Sequence, residues 1–444
     1  MERVHLVSLG CPKNRVDSEV MVGKLRQGAF ELVDSPEDAD VIVVNTCSFI
    51  RPATEESIDT VLEMAKLKHT GRAKKLVVTG CMVQRYGKNL ELELPEVDHF
   101  LGTGEYHRIA DVLEAREGEA PRSYVDTPVY LHDDTAPRVN SWAPHSAYLK
   151  LSEGCDHKCA FCIIPQLRGR LRSRTIPSLV TEASRLADEG VLELNLVSQD
   201  STAYGRDLGD GSDLGKLLRA LARIEKLAWI RLHYVYPLGV PEGALRALAE
   251  EPRLLKYVDI PLQHASGRML KAMKRGVSRE GQEKVLRRIR DAIPGVTLRT
   301  TFIVGFPGET DADFRELCDF VEAEQFDRVG VFTYSNEDGV PAAELTGQVE
   351  EKVKKARQKE LMKLQAAISK KKHKALVGTE QIVLVDGPSK ESPLVLVGRL
   401  PSQAPDVDGQ VWLSETDETV RPGQLRRVRL TKATAHDFVG EVID

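Results

Sequence analysis

Six of the seven cysteines in this 444-residue chain fall into two trios. The tighter trio reads Cys155-Asp-His-Lys-Cys159-Ala-Phe161-Cys162, a C-x3-C-x2-C run. Three thiolates this close on one loop can grip three irons of a 4Fe–4S cube. The fourth iron is left without a protein ligand and stays open to a small molecule. That arrangement suits binding and reductive cleavage of S-adenosylmethionine (SAM), which supplies a carbon radical. Phe161, the aromatic residue before the last cysteine, fits the same pattern. A structural zinc knuckle is the other reading. It needs a fourth ligand, and His157 inside the loop could provide one.

The second trio is spread out. Cys11 follows Val4-His-Leu-Val-Ser-Leu-Gly10, Cys47 follows Val41-Ile-Val-Val-Asn-Thr46, and Cys81 follows Leu76-Val-Val-Thr-Gly80. Each of these cysteines thus sits just past a β-branched apolar run, the pattern of a buried parallel strand. Ligands of doubly wound sheets bind beyond the carboxyl ends of the strands. Three strand-end cysteines can therefore meet in space and hold a second cluster, although free cysteines are also often simply buried. Cys318 belongs to neither trio. With Phe314, Leu317 and Val321 it marks one face of a helix and reads as a small core residue.

The elements that must position these cysteines can be read in the same way. Helical patterns follow the first strands, as in Asp17 to Arg26 and Thr54 to Leu67, which makes residues 1–118 a doubly wound parallel sheet. Residues 119–146 contain Pro121, Pro128, Pro137 and Pro144 without a sustained period and read as a linker. Six strand-like runs follow within 147–376, beginning at Ala147, Leu192, Trp229, Tyr257, Leu298 and Val329, with helical patterns between them. Six β/α units suggest a partial TIM-like barrel, whose chemistry sits at the carboxyl ends of its strands. The tight trio follows the first of these strands. Glu350 to Leu376 reads as a long helix with an apolar stripe of Val353, Leu361, Leu364 and Ile368. From 377 to 444, short β-rich segments alternate with Gly, Pro and Asp turns, the pattern of a small antiparallel barrel.

Composition bounds the rest. The chain is 41% hydrophobic with a net charge of −5, so it carries no overall attraction to nucleic acid or membrane. No apolar run reaches the roughly 18 residues of a membrane span. The charged N-terminus does not read as a signal peptide. Cysteines in metal-ligand spacing argue for a reducing cytosol.

Together these features resemble the radical SAM methylthiotransferases. In that family an N-terminal three-cysteine domain precedes the C-x3-C-x2-C barrel, and a TRAM module follows it. Gly10-Cys-Pro-Lys-Asn14, Val16-Asp-Ser-Glu19, Ser198-Gln-Asp200, Asp259-Ile-Pro-Leu-Gln263-His264 and Ala404-Pro-Asp-Val-Asp-Gly409 are similar to strings of its RimO branch. That branch modifies an aspartate of the small-subunit ribosomal protein S twelve. The sister branch, which modifies tRNA adenosine, usually carries Gln-Met where this chain has Pro12-Lys13. The resemblance implies two 4Fe–4S clusters and two roles for SAM. Cys155, Cys159 and Cys162 would hold the cluster that cleaves SAM to a radical, which takes hydrogen from the β-carbon of the aspartate. Cys11, Cys47 and Cys81 would hold a cluster that supplies sulfur, and a second SAM would methylate that sulfur. An electron donor and a sulfur source are implied partners, and the chain is expected to be a cytoplasmic monomer.

Further SAM contacts can be named. Thr301-Phe-Ile-Val-Gly305-Phe-Pro-Gly308-Glu309 resembles the superfamily's adenine-binding strand, where Gly305 and Gly308 would admit the ligand to the backbone. Gln263 and His264 could line the same pocket, while Tyr234, Tyr236 and Pro237 fit pocket and core equally. Arg299 could point into the barrel or away from it. Lys370-Lys-Lys-His-Lys374 reads as a solvated helix end, with ribosomal RNA contact as the alternative. From His373 on, eight Lys and Arg stand against eleven Asp and Glu. That balance suits a basic protein partner better than tRNA phosphates. Two other functions remain open on sequence alone: a tRNA methylthiotransferase, and a non-catalytic two-cluster electron carrier or redox sensor.

Overall fold

The computed structural model describes residues 1–116 and 118–443. Glu117, at the expected end of the first domain, and Asp444, counted above among the acids, lie outside the described residues.

The N-terminal sheet contains β1 (Glu2–Ser8), β2 (Phe30–Leu32), β3 (Val41–Thr46), β4 (Lys75–Gly80), β5 (His99–Leu101) and β6 (Ser123–Tyr124) in the order β2-β1-β3-β4-β5-β6. All of its ladders are parallel. Helices α1 (Pro12–Gln27), α2 (Arg51–Thr70), α3 (Cys81–Tyr86), α4 (Asn89–Glu93) and α5 (Ile109–Glu114) cover it. Successive strand residues point to opposite faces. Val41, Val43 and Val77 accordingly pack with Val20, Met21 and Ile109 on one side. Ile42, Val44, Leu76 and Val78 pack with Val61, Ala65 and Met82 on the other. Strand order reverses between β1 and β3, so the crevice at their carboxyl ends is the topological switch point. Cys11 and Cys47 flank it.

The second sheet is built from β7 (Ser146–Lys150), β10 (Glu193–Val197), β11 (Trp229–Leu232), β12 (Leu254–Asp259), β13 (Thr297–Val304) and β14 (Arg328–Thr333). These six strands run parallel from β7 at one edge to β14 at the other. Between β7 and β10 lies a small antiparallel clasp, β8 (Ser152–Glu153) with β9 (Arg172–Ser173). The clasp closes around the tight cysteine loop and the short helix α6 (Ile164–Arg168). Helices α7 (Ile176–Asp188), α8 (Leu214–Ala222), α9 (Glu242–Glu250), α10 (Gly267–Ala272), α11 (Arg279–Ala292), α12 (Asp311–Glu324) and α13 (Glu351–Lys374) follow. Leu179, Leu217, Leu248, Leu286, Leu317 and Leu361 from these helices bury one face of the sheet. Cys318 packs against that core on α12, away from both trios.

A closed five-stranded barrel ends the chain: β15 (Glu380–Pro388), β16 (Leu396–Arg399), β17 (Val411–Ser414), β18 (Leu425–Ala433) and β19 (Phe438–Val442). Four of its ladders are antiparallel and the β17–β19 ladder is parallel. Among the described residues no helix is long and apolar enough to cross a membrane.

Two expectations change. Residues 119–146, read as a linker, are tied down throughout. Ser123 and Tyr124 pair with Phe100 and Leu101 as the sixth strand of the first sheet. Arg138 donates to Glu19 on α1 at 2.6 Å, to Glu182 on α7 at 2.6 Å and to the Tyr148 carbonyl at 2.6 Å. The segment is a strap between two sheets, fixed by buried charge pairs that no local pattern announces.

The C-terminal barrel, whose acidic balance was expected to serve a basic protein partner, is seated under the second sheet. Leu384 and Ala404 pack with Trp229, Leu255 and Tyr257. Arg399 reaches Glu193 of β10 at 2.7 Å, and Arg231 donates to the Pro401 carbonyl at 2.7 Å. The loop Ala404–Gly409 enters the same space: Tyr257 donates to Asp408 at 2.8 Å and Tyr148 to Asp406 at 3.2 Å. Three of the eleven acids counted above, Asp386, Asp406 and Asp408, thus face groups of the barrel's own interface, as does the cation Arg399. The charge imbalance left for an outside partner is correspondingly small.

Candidate active site between two cysteine trios

Glycines with positive φ precede three of the six trio cysteines: Gly10 (φ 87°), Gly80 (φ 99°) and Gly154 (φ 79°). A side chain at Gly10 would put its Cβ 2.6 Å from the Cys47 Cβ, and one at Gly154 would meet the Arg170 carbonyl oxygen at 2.0 Å. These positions admit only glycine because strand, turn and cysteine loop approach so closely there.

Cys11 caps α1, Cys81 opens α3, and Cys47 follows β3 with its backbone N–H donating to Ser57 Oγ at 3.1 Å. Asn14 ties the three loops together. Its amide donates to the carbonyls of Leu9 at 3.2 Å and Thr46 at 2.9 Å, and its oxygen lies 3.7 Å from Cys81 Sγ. Asn45 donates back to the Asn14 carbonyl and to Ser18 Oγ, both at 2.9 Å. The thiols are close enough to interact: Cys11 acts on Cys47, and both act on Cys81. Burial pushes Cys47 up and Cys81 up to about 12.

In the tight trio, the Cys155 N–H donates to the Gly169 carbonyl at 3.1 Å, and the Cys162 N–H to that of Cys159 at 3.1 Å. Ala160 is held from both sides, donating to Met273 O at 3.0 Å and accepting from Ala342 N at 2.9 Å. Cys159 Sγ accepts from Arg275 at 3.3 Å. Burial raises Cys155 to about 11 and Cys162 to about 12. A cavity of about 160 Å³ opens beside Cys155, lined by His157, Asp200, Arg206 and Asp207 among others.

His157 is committed elsewhere than the sulfurs. Its Nε2 lies 2.7 Å from Asp200 Oδ2, and its ring stacks on Tyr236 at 3.6 Å. Among the described residues no three His, Cys, Asp or Glu side chains close around a single-ion site.

The two trios adjoin. Phe161 packs onto an apolar cluster that contains Cys81 from the first domain together with Ile163, Leu167, Phe306 and Tyr334. Buried charges run beside it. Lys150 pairs with Asp17 and, at 2.7 Å, with Glu153, while Arg168 pairs with Asp17 at 2.6 Å and Glu153 at 3.2 Å. Gln199 donates to Glu153 at 2.7 Å. These residues account for several of the strings quoted above: Asn14, Asp17, Ser18 and Glu19 are all buried and bonded.

The other expected contacts divide. Gln263 is half-buried with φ 74°, its backbone pairing with Thr301 and Ile303 at 2.8 Å each. Arg299 points into the barrel, where it meets Asp259 at 2.9 Å and Asp408 at 3.6 Å. Tyr234 (φ 59°) carries the Lys13 ammonium 3.5 Å above its ring.

His264, Gly305 and Gly308 all take part in the protein's own packing. His264 is fully buried, with Nδ1 accepting from Ser266 N at 3.0 Å and Nε2 lying 3.2 Å from Glu309. The Gly305 N–H donates to Glu309, and a Cβ there would lie 2.3 Å from Lys354 Cγ, so close approach of α13 demands the glycine. Both backbone groups of Gly308 are taken, by the Gly347 carbonyl at 2.7 Å and Arg268 at 2.7 Å. In the basic run, Lys370, Lys371 and Lys374 are exposed, whereas Lys372 bonds Asp327 at 2.7 Å and His373 is buried.

Comparison with known proteins agrees with this architecture. Residues 3–102 match the uncharacterised protein family UPF0004, residues 149–321 the radical SAM superfamily, and residues 377–443 the TRAM domain. The ribosomal protein uS12 methylthiotransferase RimO of Anaeromyxobacter sp. (strain K) is 50% identical over 441 residues, covering 99% of this chain and 93% of the relative. The chain belongs to the RimO family of radical SAM methylthiotransferases. The RimO of Geobacter sulfurreducens is 48% identical and covers 100% of this chain and 99% of its own. Among solved structures, the radical SAM methyltransferase TsrM of Kitasatospora setae shares the fold with a TM-score of 0.56 at 17% identity, covering 75% of this chain and 73% of TsrM. OxsB, a cobalamin-dependent radical SAM enzyme, does so with a TM-score of 0.53 at 13% identity, covering 82% of this chain and 56% of OxsB. Local spacing does not announce the network of Asn14, Asp17, Lys150, Glu153 and Arg168, in which Asp17 meets Lys150 and Arg168 from far away in the sequence.

Proposed function

We propose that this chain acts in the cytoplasm to methylthiolate the β-carbon of an aspartate in ribosomal protein uS12. It would use one 4Fe–4S cluster in each trio, and SAM as both radical source and methyl donor. The observation that carries this reading is the meeting of two three-cysteine sites at strand ends of two adjoining parallel sheets. The family relationship supports the methylthiotransferase reading, since relatives about half identical over their length are named as methylthiotransferases of ribosomal protein uS12.

The donor set fits the groups required. Each site offers three sulfurs, a donor set that suits iron–sulfur chemistry. When bound, the two clusters and SAM supply the radical, the sulfur and the methyl group. The chain's own residues do the rest. Cys155, Cys159 and Cys162 would hold one cluster on a loop pinned by Gly169, Met273 and Ala342. Cys11, Cys47 and Cys81 would hold the other at the switch point. Burial keeps the Cys81, Cys155 and Cys162 thiols protonated at neutral pH, so loading iron on them releases protons. Phe161 screens the tight loop with apolar surface, and Gln263 is the side chain we assign to the SAM pocket. The seated loop Ala404–Gly409 closes the far end of the barrel. An electron donor and a sulfur source complete the reaction.

The substrate choice rests on the relatives, because much of the C-terminal charge imbalance is spent internally. The test offers reconstituted enzyme, SAM, reductant and sulfide either to uS12 or to unmodified tRNA, with mass spectrometry of both. A methylthio mass increase on an aspartate of uS12 is expected. Modification of the tRNA with the protein untouched would overturn the substrate, and the absence of SAM cleavage would favour an electron carrier.

A further inference from the structure

Each trio has one buried arginine resting on one of its sulfurs. Arg275 donates to Cys159 Sγ at 3.3 Å. It is fixed by the Pro261 carbonyl at 2.6 Å and by the Tyr236 ring 4.4 Å away. Arg168 donates to Cys81 Sγ at 3.5 Å through Nη2, which also bonds Asn14 Oδ1. Its Nη1 bonds Asp17 at 2.6 Å and Glu153 at 3.2 Å.

Arg168 is the unusual member of the pair, because it does not come from the domain whose sulfur it touches. It ends α6, the helix that follows Cys162, whereas Glu153 lies just before Cys155. One flank of the tight loop, Arg168, therefore reaches across to the other trio, and the other flank, Glu153, bonds Arg168 and helps to hold it there. Only 2% of Arg168 is exposed, so its charge acts in a low-dielectric setting where a hydrogen bond to sulfur counts most.

We propose that Arg168 is a positioning residue that sets the reduction potential of the iron–sulfur group held by Cys11, Cys47 and Cys81, and couples that site to the loop holding the other. This rests on the reading of the first trio given above. Hydrogen bonds to the sulfurs of such groups are a main determinant of their potential. An N–H donor carrying positive charge withdraws electron density from the thiolate and favours the reduced, more negative state. Asp17 and Glu153 hold the guanidinium in place, and the planar fork spans both carboxylates, Asn14 and the sulfur at once. A lysine ammonium, a point charge without that fork, cannot.

The test uses full-length protein in which Cys155, Cys159 and Cys162 are replaced by Ala, so that any signal belongs to the first trio. After anaerobic reconstitution, iron is counted and the group is titrated with dithionite, monitored by electron paramagnetic resonance. Arg168, Arg168→Lys and Arg168→Met are compared, with Arg275→Met as control. Both Arg168 variants should keep about four irons per chain, as one cube requires. Both should show a lower potential and an altered resonance, Met more than Lys, while Arg275→Met leaves the potential in place. Should Arg168→Met fail to fold, Arg168→Lys decides, because it keeps a cation beside Asp17 and Glu153. A folded, iron-loaded Arg168→Lys with the parent's potential and resonance would overturn the proposal alone. A parent that binds no iron would overturn the cofactor reading and the proposal with it.

Discussion

Replacing Arg399 with Met should loosen the C-terminal barrel from the rest of the chain. Arg399 donates to Glu193 at 2.7 and 3.0 Å and to Asp386 at 2.8 Å from each of two nitrogens. Burial alone would push Glu193 up. Arg399 and then Arg231 more than offset this and hold its carboxyl well below the usual carboxylate range. Without Arg399, the buried Glu193 keeps only Arg231 at 3.1 Å and Ser146 at 2.9 Å. Breaking a buried pair by removing one partner costs about 3–5 kcal/mol. That corresponds to roughly two to four orders of magnitude in the opening equilibrium of this interface. The apolar contacts of Leu384 and Ala404 remain, so the barrel itself should stay folded. Native-state hydrogen exchange of the β15–β19 amides measures it: the sub-global opening free energy should fall by about that amount, with β10 and β11 losing protection in step. Arg399→Lys should fall between the two. A loss below about 0.5 kcal/mol, the size of an ordinary surface substitution, would refute the argument that this barrel is anchored by buried charge.

Three further outcomes are expected. Burial, followed by the Arg328 cation, pushes His373 down to about 4, against about 6.5 in an unfolded chain. The folded state therefore favours the neutral ring. Its stabilisation is fully present above about pH 6.5 and is lost as pH falls through about 4, so the unfolding midpoint of His373→Gln should depend less on pH across that window than that of the parent. Gly154→Ala puts a Cβ 2.0 Å from the Arg170 carbonyl oxygen at φ 79°, so the tight loop should shift and iron bound there should fall sharply, measured after reconstitution in a variant with Cys11, Cys47 and Cys81 replaced by Ala. Cys318→Ala should leave iron content unchanged and cost about 1 kcal/mol in denaturant unfolding, as for a small half-buried apolar group.

The strands of both parallel sheets were legible because fully buried β-strands write themselves as apolar β-branched runs, as Val41 to Val44 does. The cysteines were legible for a related reason: doubly wound sheets place their chemistry at strand ends, and Cys11, Cys47, Cys81 and Cys155 stand there. The Gly-Cys step before three of them was an additional signal of tight loops. Three things were hidden. The strap at 119–146 is rich in proline and polar residues, and only its pairing with Glu19 and Glu182 shows that Arg138 is buried. Arg168 and Asn14 meet across the whole N-terminal domain, a distance over which local spacing carries no information. In the Gly305 and Gly308 string, nothing local shows that the glycine at 305 packs against Lys354 on a helix much later in the chain. In the same way, Asp406 and Asp408 looked like free acidic surface until the barrel was seen seated on Tyr148, Tyr257 and Arg299.

On the proposed reading, the two trios are two separate iron–sulfur sites with different tasks. Iron and acid-labile sulfide, together with deoxyadenosine release from SAM, test it in three proteins: the parent, the variant with Cys11, Cys47 and Cys81 replaced by Ala, and the variant with Cys155, Cys159 and Cys162 replaced by Ala. About eight irons are expected in the parent and about four in each variant, one cube per trio. Deoxyadenosine should form in the first variant without any methylthio product, and not at all in the second. A first variant that keeps the full iron load, or that still methylthiolates its substrate, would contradict it.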